Sequence, residues 1–171
     1  MSKPISHVEL AKETIDAYIK TGKAIKAPSD LSDELKGRAG VFVSIKKFGQ
    51  LRGCIGTFEP TKKNIAQEII QNAISASTRD PRFPAVREEE LSDLTISVDV
   101  LSSPEPVSSA DELDPKRYGV IVRSGRKRGL LLPDLEGVDT VEQQVLITKR
   151  KADIADDEEV DLYRFEVTRH K

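Results

Sequence analysis

Residues 51–57 read Leu-Arg-Gly-Cys-Ile-Gly-Thr, and the interpretation of this 171-residue chain starts from them. An apolar run precedes them at Gly40-Val41-Phe42-Val43, so the two stretches together predict a β-hairpin. The same pairing returns in the second half of the chain, where Gly119-Val120-Ile121-Val122 precedes Arg128-Gly129-Leu130-Leu131. The hairpin is therefore predicted to belong to a repeated unit of structure.

Matching segments flank each hairpin: a helical turn before it, a helical pattern after it, and a closing strand with alternating side chains. The turns are Leu31–Leu35 and Ser109–Leu113, and the closing strands are Thr95–Leu101 and Val160–Thr168. A lone three-stranded unit leaves one apolar face uncovered, whereas two joined units bury both faces. We therefore predict one α+β domain over residues 1–171, with repeat units at about 31–101 and 109–168. Chance similarity between two hairpins is the alternative.

The composition excludes several functional classes. The formal net charge is −2 and the pI is about 5.8, so nothing global favours nucleic acid or an anionic membrane. The basic turn Arg123–Arg128 is interpreted as a solvated hairpin tip, and nucleic-acid binding is not expected. With one cysteine and two histidines near opposite termini, His7 and His170, we expect no zinc site. A carboxylate-only site for magnesium or calcium stays open but has no recognisable spacing, and no cofactor is expected. The start of the chain lacks an apolar run, so a cytoplasmic protein is predicted.

The strand around Cys54 contains the candidate catalytic residues. Alternation assigns Leu51, Gly53 and Ile55 to the core face and leaves Arg52, Cys54 and Gly56 on the other face. A guanidinium beside a thiol favours the thiolate and lowers its pKa, so Arg52 and Cys54 are the candidate pair. The bare backbone at Gly53 and Gly56 can bind an anionic group. In the alternative, Cys54 is a small buried hydrophobe and the glycines serve a bulge or close packing.

A second candidate site is the segment Arg79-Asp80-Pro81-Arg82-Phe83-Pro84. Pro81 disfavours helical geometry at the preceding residue, so the helix that starts at about Thr61 is predicted to end near Arg79. Asp80 between two arginines suits either an anionic ligand or a fixed ion pair. Asp80 can also accept hydrogen bonds from nearby backbone amides in an Asx turn.

Three motifs in this order carry a family resemblance: residues 51–57, Asp80-Pro81-Arg82-Phe83-Pro84 and Gly129-Leu130-Leu131-Leu132-Pro133. Together they resemble the AMMECR-one domain family, whose prokaryotic members are called AmmeMemoRadiSam system protein A. The resemblance implies an α+β fold with two repeated units around a curved, barrel-like, mostly antiparallel sheet. It implies a Memo-like protein and a radical SAM protein as partners, and it does not imply an established reaction. Arg52, Cys54, Gly56 and Thr57 fall in the first motif, and Asp80, Arg82 and Phe83 in the second.

Two functions follow as expectations. In the first, the domain is an accessory or binding partner of Memo-like and radical SAM proteins. In the alternative, it is an enzyme that uses Cys54 as nucleophile or redox thiol on a small anionic substrate. The candidate ligand-binding residues are Gly53, Gly56, Thr57, Arg79, Asp80 and Arg82. A cleft is expected to bring Arg52 and Cys54 toward Asp80 and Arg82.

Overall fold

The structure is a computed structural model that describes residues 3–171. Within this range the chain divides into two compact units, one reaching to Val100 and including Thr168–Lys171, the other formed by Leu101–Val167. The described helices are α1 (His7–Thr21), α2 (Asp33–Lys36), α3 (Ile65–Thr78) and α4 (Val141–Lys151), with 3-10 helices at Glu88–Asp93 and Ala110–Glu112. The described strands are β1 (Val41–Lys47), β2 (Gln50–Thr57), β3 (Leu94–Leu101), β4 (Glu105–Val107), β5 (Gly119–Ser124), β6 (Lys127–Leu131), β7 (Asp161–Phe165) and β8 (Val167–His170).

The first unit is a four-stranded sheet in the order β2-β1-β3-β8, with β1 antiparallel to both β2 and β3. Helix α3 packs on β1 and β2, and α1 packs on α3. Helix α1 begins at a capping box, in which the Ser6 hydroxyl accepts from the Glu9 amide and the Glu9 carboxylate accepts from the Ser6 amide. The core between helices and sheet contains Leu10, Ile15, Val41, Val43, Ile45, Ile69, Ala73 and Val98.

The second unit is a four-stranded sheet in the order β4-β7-β5-β6. Helix α4 packs on β5 and β6 and begins at Thr140, whose hydroxyl accepts from the Gln143 amide at 3.1 Å. The buried core of this unit contains Leu113, Val120, Val122, Leu131, Val138 and Ile154. The second unit therefore has its own apolar layer between sheet and helix.

The structure confirms the α+β class but corrects the predicted sheet. The strands of residues 3–171 form two four-stranded sheets and no closed barrel. In each unit, the hairpin pairs with a neighbouring strand and a helix packs on the hairpin strands. Each sheet therefore ends at edge strands, and a single curved, barrel-like sheet does not form.

The predicted closing strand Val160–Thr168 is divided in the structure. Its first part, β7, joins the second sheet, and its last part, β8, joins the first sheet. The break lies at Glu166, whose amide donates to Ser102 Oγ at 2.7 Å and whose carbonyl accepts from the Ser102 amide at 2.8 Å. Alternation cannot reveal such a break, because the residues on both sides keep a strand-like pattern.

Candidate functional site

A β-bulge interrupts β2 at Arg52. In the register between β1 and β2, Ile45 pairs with Gly53, but the next residue, Lys46, pairs with Leu51. Arg52 therefore has no partner on β1, which is the two-against-one arrangement of a bulge. The alternation of side chains changes phase at this residue.

The bulge overturns one face assignment made from the sequence. Leu51 was expected to face the core, but 42% of its surface is exposed, because it pairs with the exposed Lys46. Ile55 lies beyond the bulge and packs against the core as expected. The period-two argument holds on one side of Arg52 and fails across it.

The Arg52 guanidinium binds Glu90. Its Nε donates to Glu90 Oε1 at 3.1 Å and its Nη2 to Oε2 at 3.0 Å, which is a bidentate pair. Arg52 Nη1 also donates to the Pro84 carbonyl at 2.8 Å, and Lys47 Nζ lies 3.0 Å from Glu90 Oε1. The hydrogen bonds from Arg52 are the largest cause that lowers the pKa of Glu90 to about 2, although burial opposes it. Arg52 therefore ties the hairpin to the segment that follows the proline turn.

Cys54 lies opposite Ser44 on β1 and is partly buried, with its sulfur 3.2 Å from Ser44 Oγ. Burial raises the pKa of the thiol, and this effect exceeds the lowering by the Ser44 hydrogen bond and by the Arg82 charge. The expected lowering of the thiol pKa is therefore wrong. The guanidinium that acts on the thiol is that of Arg82, whereas the Arg52 guanidinium is bound to Glu90.

Asp80 connects the proline turn to the backbone of the cysteine strand, and only 4% of its surface is exposed. Its Oδ2 accepts from the Cys54 amide at 3.0 Å, and its Oδ1 accepts from the Arg82 amide at 3.0 Å in an Asx turn. The Arg82 guanidinium donates to both oxygens, at 3.0 and 2.8 Å. These bonds, above all those from the Arg82 side chain, hold the pKa of Asp80 well below its usual range despite burial. We call Asp80, Arg82 and the Cys54 backbone the Asp80 cluster.

Gly53 and Gly56 allow close packing. A Cβ at Gly53 would overlap the Ala76 carbonyl oxygen of α3, and a Cβ at Gly56 would overlap the Phe42 ring. Both positions therefore need a residue without a side chain so that a helix and an aromatic ring can approach the strand. The sequence predicted an open backbone at these two glycines. In the structure the helix and the ring cover each glycine on the side where a side chain would project.

Thr57 belongs to a separate buried group around Glu68 of α3. The Thr57 hydroxyl donates to Glu68 Oε2 at 2.9 Å, and the Thr61 amide and hydroxyl each donate to the same carboxylate at 2.7 Å. Burial alone would raise the pKa of Glu68, but these hydrogen bonds and one from the Lys62 amide more than offset it, so that the pKa is lowered. The Thr57 hydroxyl therefore anchors the end of β2 to α3.

Arg79 lies apart from the Asp80 cluster. It is the C-cap of α3, its amide donates to the Ser75 carbonyl, and its exposed side chain lines a groove with Tyr18 and Ile25. The structure thus brings Cys54, Asp80 and Arg82 together, places Arg52 with Glu90, and separates Arg79 from both groups.

Sequence reasoning missed Asp99 and Glu90. Asp99 on β3 is 2% exposed, and Arg169 of β8 binds it with Nε and Nη2 at 2.8 and 3.0 Å. The Asp99 charge also acts to raise the pKa of the Cys54 thiol. A signal was present, because Asp is depleted in strands and Asp99 lies inside the predicted strand Thr95–Leu101. Glu90 gave no such signal among its acidic neighbours.

The two histidines lie against each other. The rings of His7 and His170 stack with centroids 3.7 Å apart and an interplanar angle of 7°. Burial, followed by the charge of His170, lowers the pKa of His7. In the part of the chain that the structure describes, no three His, Cys, Asp or Glu side chains are grouped to hold a metal ion. Among the same residues, no helix has the length and apolar character needed to cross a bilayer.

Comparisons with other proteins find relatives over nearly the whole chain. The family model described as AMMECR1 matches residues 8–170. A protein of Thermotoga maritima is 55% identical over 168 residues, which cover 96% of this chain and 97% of that protein. A protein of Clostridium acetobutylicum is 54% identical over 167 residues, which cover 96% of this chain but 36% of that longer relative.

A solved structure has the same fold. The crystal structure of the uncharacterised protein PH0010 from Pyrococcus horikoshii matches with a TM-score of 0.88 and 34% identity. The match covers 95% of this chain and 88% of that one. Sequence and structure therefore agree with the resemblance that begins at residues 51–57, and the chain belongs to the AMMECR1 family.

Proposed function

We propose that this domain is an accessory module that binds a Memo-like protein and a radical SAM protein. One observation carries the proposal: the charged side chains of the two motifs are already bound within the protein, to carboxylates, to a guanidinium and to the backbone. Arg52 is bound to Glu90 and to carbonyl groups of the turn, and Asp80 is bound to Arg82 and to the Cys54 amide. On this proposal, the motif residues hold the hairpin against the turn and so shape a surface for a partner.

The proposed contact surface is the hairpin tip. Phe48 is 77% exposed and Leu51 is 42% exposed, and they are the exposed large hydrophobic residues within the described range. Phe48 has a φ of 50°, and the following Gly49 has a φ of 79°. A bulky side chain in the left-handed region is strained, and such strain is concentrated at functional positions. An exposed aromatic ring on a braced turn suits a hot spot for binding.

Two contacts with Glu90 brace the tip on either side. Lys47 precedes the tip and Arg52 follows it, and both bind the Glu90 carboxylate. Phe48 is therefore presented by a turn whose two arms are tied to the same residue. Such preorganisation lowers the conformational entropy that is lost on binding.

Copurification with the two partners tests this proposal. Asn tolerates the left-handed region, so Phe48→Asn keeps the turn and removes only the ring. We expect Phe48→Asn with Leu51→Ser to weaken association at least tenfold, and Cys54→Ser to leave it within twofold of the unaltered protein. The proposal fails if neither partner associates at micromolar concentration, or if the tip variant binds as the unaltered chain does.

The second candidate is a thiol enzyme that acts on a small anionic substrate. It rests on Cys54, a half-buried residue whose sulfur lies beside Ser44 Oγ, and on Arg82, whose side chain is 55% exposed. In this role Cys54 is nucleophile or redox thiol, and Arg82 binds the anionic group. The test is whether millimolar phosphate or acetate slows alkylation of Cys54 and whether Arg82→Gln abolishes that protection. Equal alkylation rates with and without the anions would exclude this candidate.

A further inference from the structure

A groove with a cavity volume of about 650 Å³ lies between α3 and the segment that follows α1. Its apolar lining includes Tyr18, Ile25, Ile70 and Ile74. The two isoleucines of α3 are each 8% exposed and form the floor, whereas Tyr18 and Ile25 are half-buried and leave more of their apolar surface open. The volume falls in the range of small-molecule sites, roughly 300–1,000 Å³. The groove thus has the size and the floor of a ligand site.

Every charged residue that lines this groove is a cation: Lys26, Lys62 and Arg79. Over residues 3–171, none of these three side chains donates a hydrogen bond or joins an ion pair. The arginines of the two motifs differ in this respect, since Arg52 is paired with Glu90 and Arg82 with Asp80. The groove therefore presents uncompensated positive charge next to an apolar floor.

The outer wall brings no negative charge that would offset these cations. Helix α1 ends at Gly22, which has a φ of 73°, and the chain turns there to form the wall. Residues 17–29 contain no acidic residue. At the opposite wall, Lys62 precedes α3 and Arg79 caps its far end. Because α3 has 14 residues, these cations flank an apolar stretch on a helix about 21 Å long.

We propose that this groove binds a small amphipathic anion, an organic phosphate or carboxylate with an apolar body. Its apolar body would lie between Tyr18 and Ile25, above the isoleucine floor, where burial of apolar surface favours binding. Its acidic group would pair with Arg79 and with Lys26 of the facing wall through charge-assisted hydrogen bonds, because Lys62 lies toward the other end of α3. Arg79 thus has a role at a site separate from the Asp80 cluster. The residues of this site are not those of the hairpin tip, so the inference is independent of the accessory function.

Isothermal titration of the full chain with decyl phosphate tests the proposal. We expect one saturable site per chain, and a Kd at least tenfold weaker for the double variant Lys26→Glu, Arg79→Glu. The matched control is Lys20→Glu with Lys23→Glu, which changes the net charge equally at exposed positions that do not line the groove. The control should bind within twofold of the unaltered chain. Gln71→Trp, which fills the groove without changing charge, should also abolish binding.

Two further probes identify the source of the acidic group. Inorganic phosphate should bind at least a hundredfold more weakly than decyl phosphate, because it has no body to bury. Phosphatidylglycerol vesicles should bind no better than the equivalent concentration of free decyl phosphate. The proposal is overturned if decyl phosphate shows no saturable binding, or if both double variants lose affinity equally. It is also overturned if the vesicles bind and free decyl phosphate does not.

Discussion

The two sheets carry different side chains at equivalent positions. The row that crosses β2, β1 and β3 in the first sheet is Cys54, Ser44 and Ser97, whereas the row that crosses β6, β5 and β7 in the second sheet is Leu130, Ile121 and Tyr163. The strand order is the same in these two sets of three. The fold therefore tolerates an aliphatic and aromatic row where the first unit has a polar one, and the polar row is a feature of the first unit alone.

The helices of the two units make the same kind of contact. Asn72 Nδ2 of α3 donates to the Val41 carbonyl at 2.9 Å, and Gln144 Nε2 of α4 donates to the Tyr118 carbonyl at 2.9 Å. Each amide side chain thus satisfies a carbonyl at the start of the first hairpin strand. These matching contacts are what internal duplication would leave, although the duplication itself stays a prediction. The amide contact between helix and hairpin is therefore common to both units, whereas the polar row belongs to the first unit.

The largest expected effect concerns the glycine that lets a helix pack closely on the hairpin in each unit. An added Cβ at Gly53 would overlap the Ala76 carbonyl oxygen, and one at Gly129 would lie 2.6 Å from the Thr148 carbonyl oxygen. Backbone atoms cannot move aside as a side chain can, so we expect Gly53→Ala to lower the free energy of unfolding by about 3 kcal/mol. Gly129→Ala should lower the free energy of unfolding by about 1–2 kcal/mol, because the overlap there is smaller. Urea unfolding measures both losses. An unchanged free energy of unfolding for Gly53→Ala would contradict the inference that both units need a glycine at this position.

The second effect concerns the Asp80 cluster, which the first unit adds. Asp80→Ala leaves the Cys54 and Arg82 amides without their acceptor, so we expect a loss of about 2 kcal/mol in the free energy of unfolding. The figure allows for the exposure of the Arg82 guanidinium, which water solvates in the variant. Asp80→Asn keeps one carbonyl oxygen as acceptor and should lose less. Thermal unfolding of both variants checks this, and equal losses would show that the amide contacts are unimportant.

The third effect is the pH dependence of the stability that the Arg52–Glu90 ion pair contributes. The pKa of Glu90 is about 2 in the folded protein and about 4.5 for an ordinary glutamate. Because the folded value is depressed, the stabilisation is complete above about pH 4.5 and is lost as the pH falls toward 2. Glu90→Gln should therefore cost about 1.5 kcal/mol at pH 7 and much less near pH 2.5. Denaturant unfolding at the two pH values measures the difference, and a cost independent of pH would contradict it.

The smallest expected loss is that of Cys54→Ala, and Leu130 at the equivalent position of the second sheet is its matched comparison. Leu130 is 7% exposed in the second unit, so Leu130→Ala should cost about 2 kcal/mol by loss of packing. Cys54 is small and partly exposed, so Cys54→Ala should cost less than about 1 kcal/mol. Calorimetric unfolding of the pair tests this. A Cys54→Ala loss as large as that of Leu130→Ala would mean that the thiol is an ordinary core residue.

Composition and periodicity predicted the main elements because those depend on local pattern. The two hairpins, the strand before Leu101 and the end of α3 near Arg79 are confirmed. The predicted start of α3 near Thr61 is wrong, since Asn64 caps the helix and the Thr61 amide is bound to Glu68 instead. The start of α3 depends on Glu68, a buried carboxylate that binds Thr61 and Lys62 of the preceding loop. Hydrophobic periodicity carries no information about such contacts.

The site was harder to predict because a single β-bulge changes the side-chain alternation at Arg52, whose guanidinium binds Glu90. The stretch Leu51–Thr57 reads as an unbroken strand, and nothing in its alternation marks Arg52 as unpaired. The adjacent Gly53 was the available signal, since glycines in strands often accompany bulges. The ion pair with Glu90 depends on residues 38 positions apart, so only the folded chain reveals it. Asp80 and Arg82, by contrast, lie within one turn, and their ion pair and Asx turn are among the alternatives that the sequence leaves open.

The central claim is that the two motifs form a structural connection around a thiol that is not activated. The most direct measurement is the pH dependence of Cys54 alkylation by iodoacetamide in the native protein, followed by mass spectrometry. The account predicts an apparent thiol pKa above the ordinary value of about 8.5–9, which falls when the chain is unfolded in urea. An apparent pKa below about 7, rising on Arg82→Gln, would contradict the account and establish Cys54 as an activated thiol.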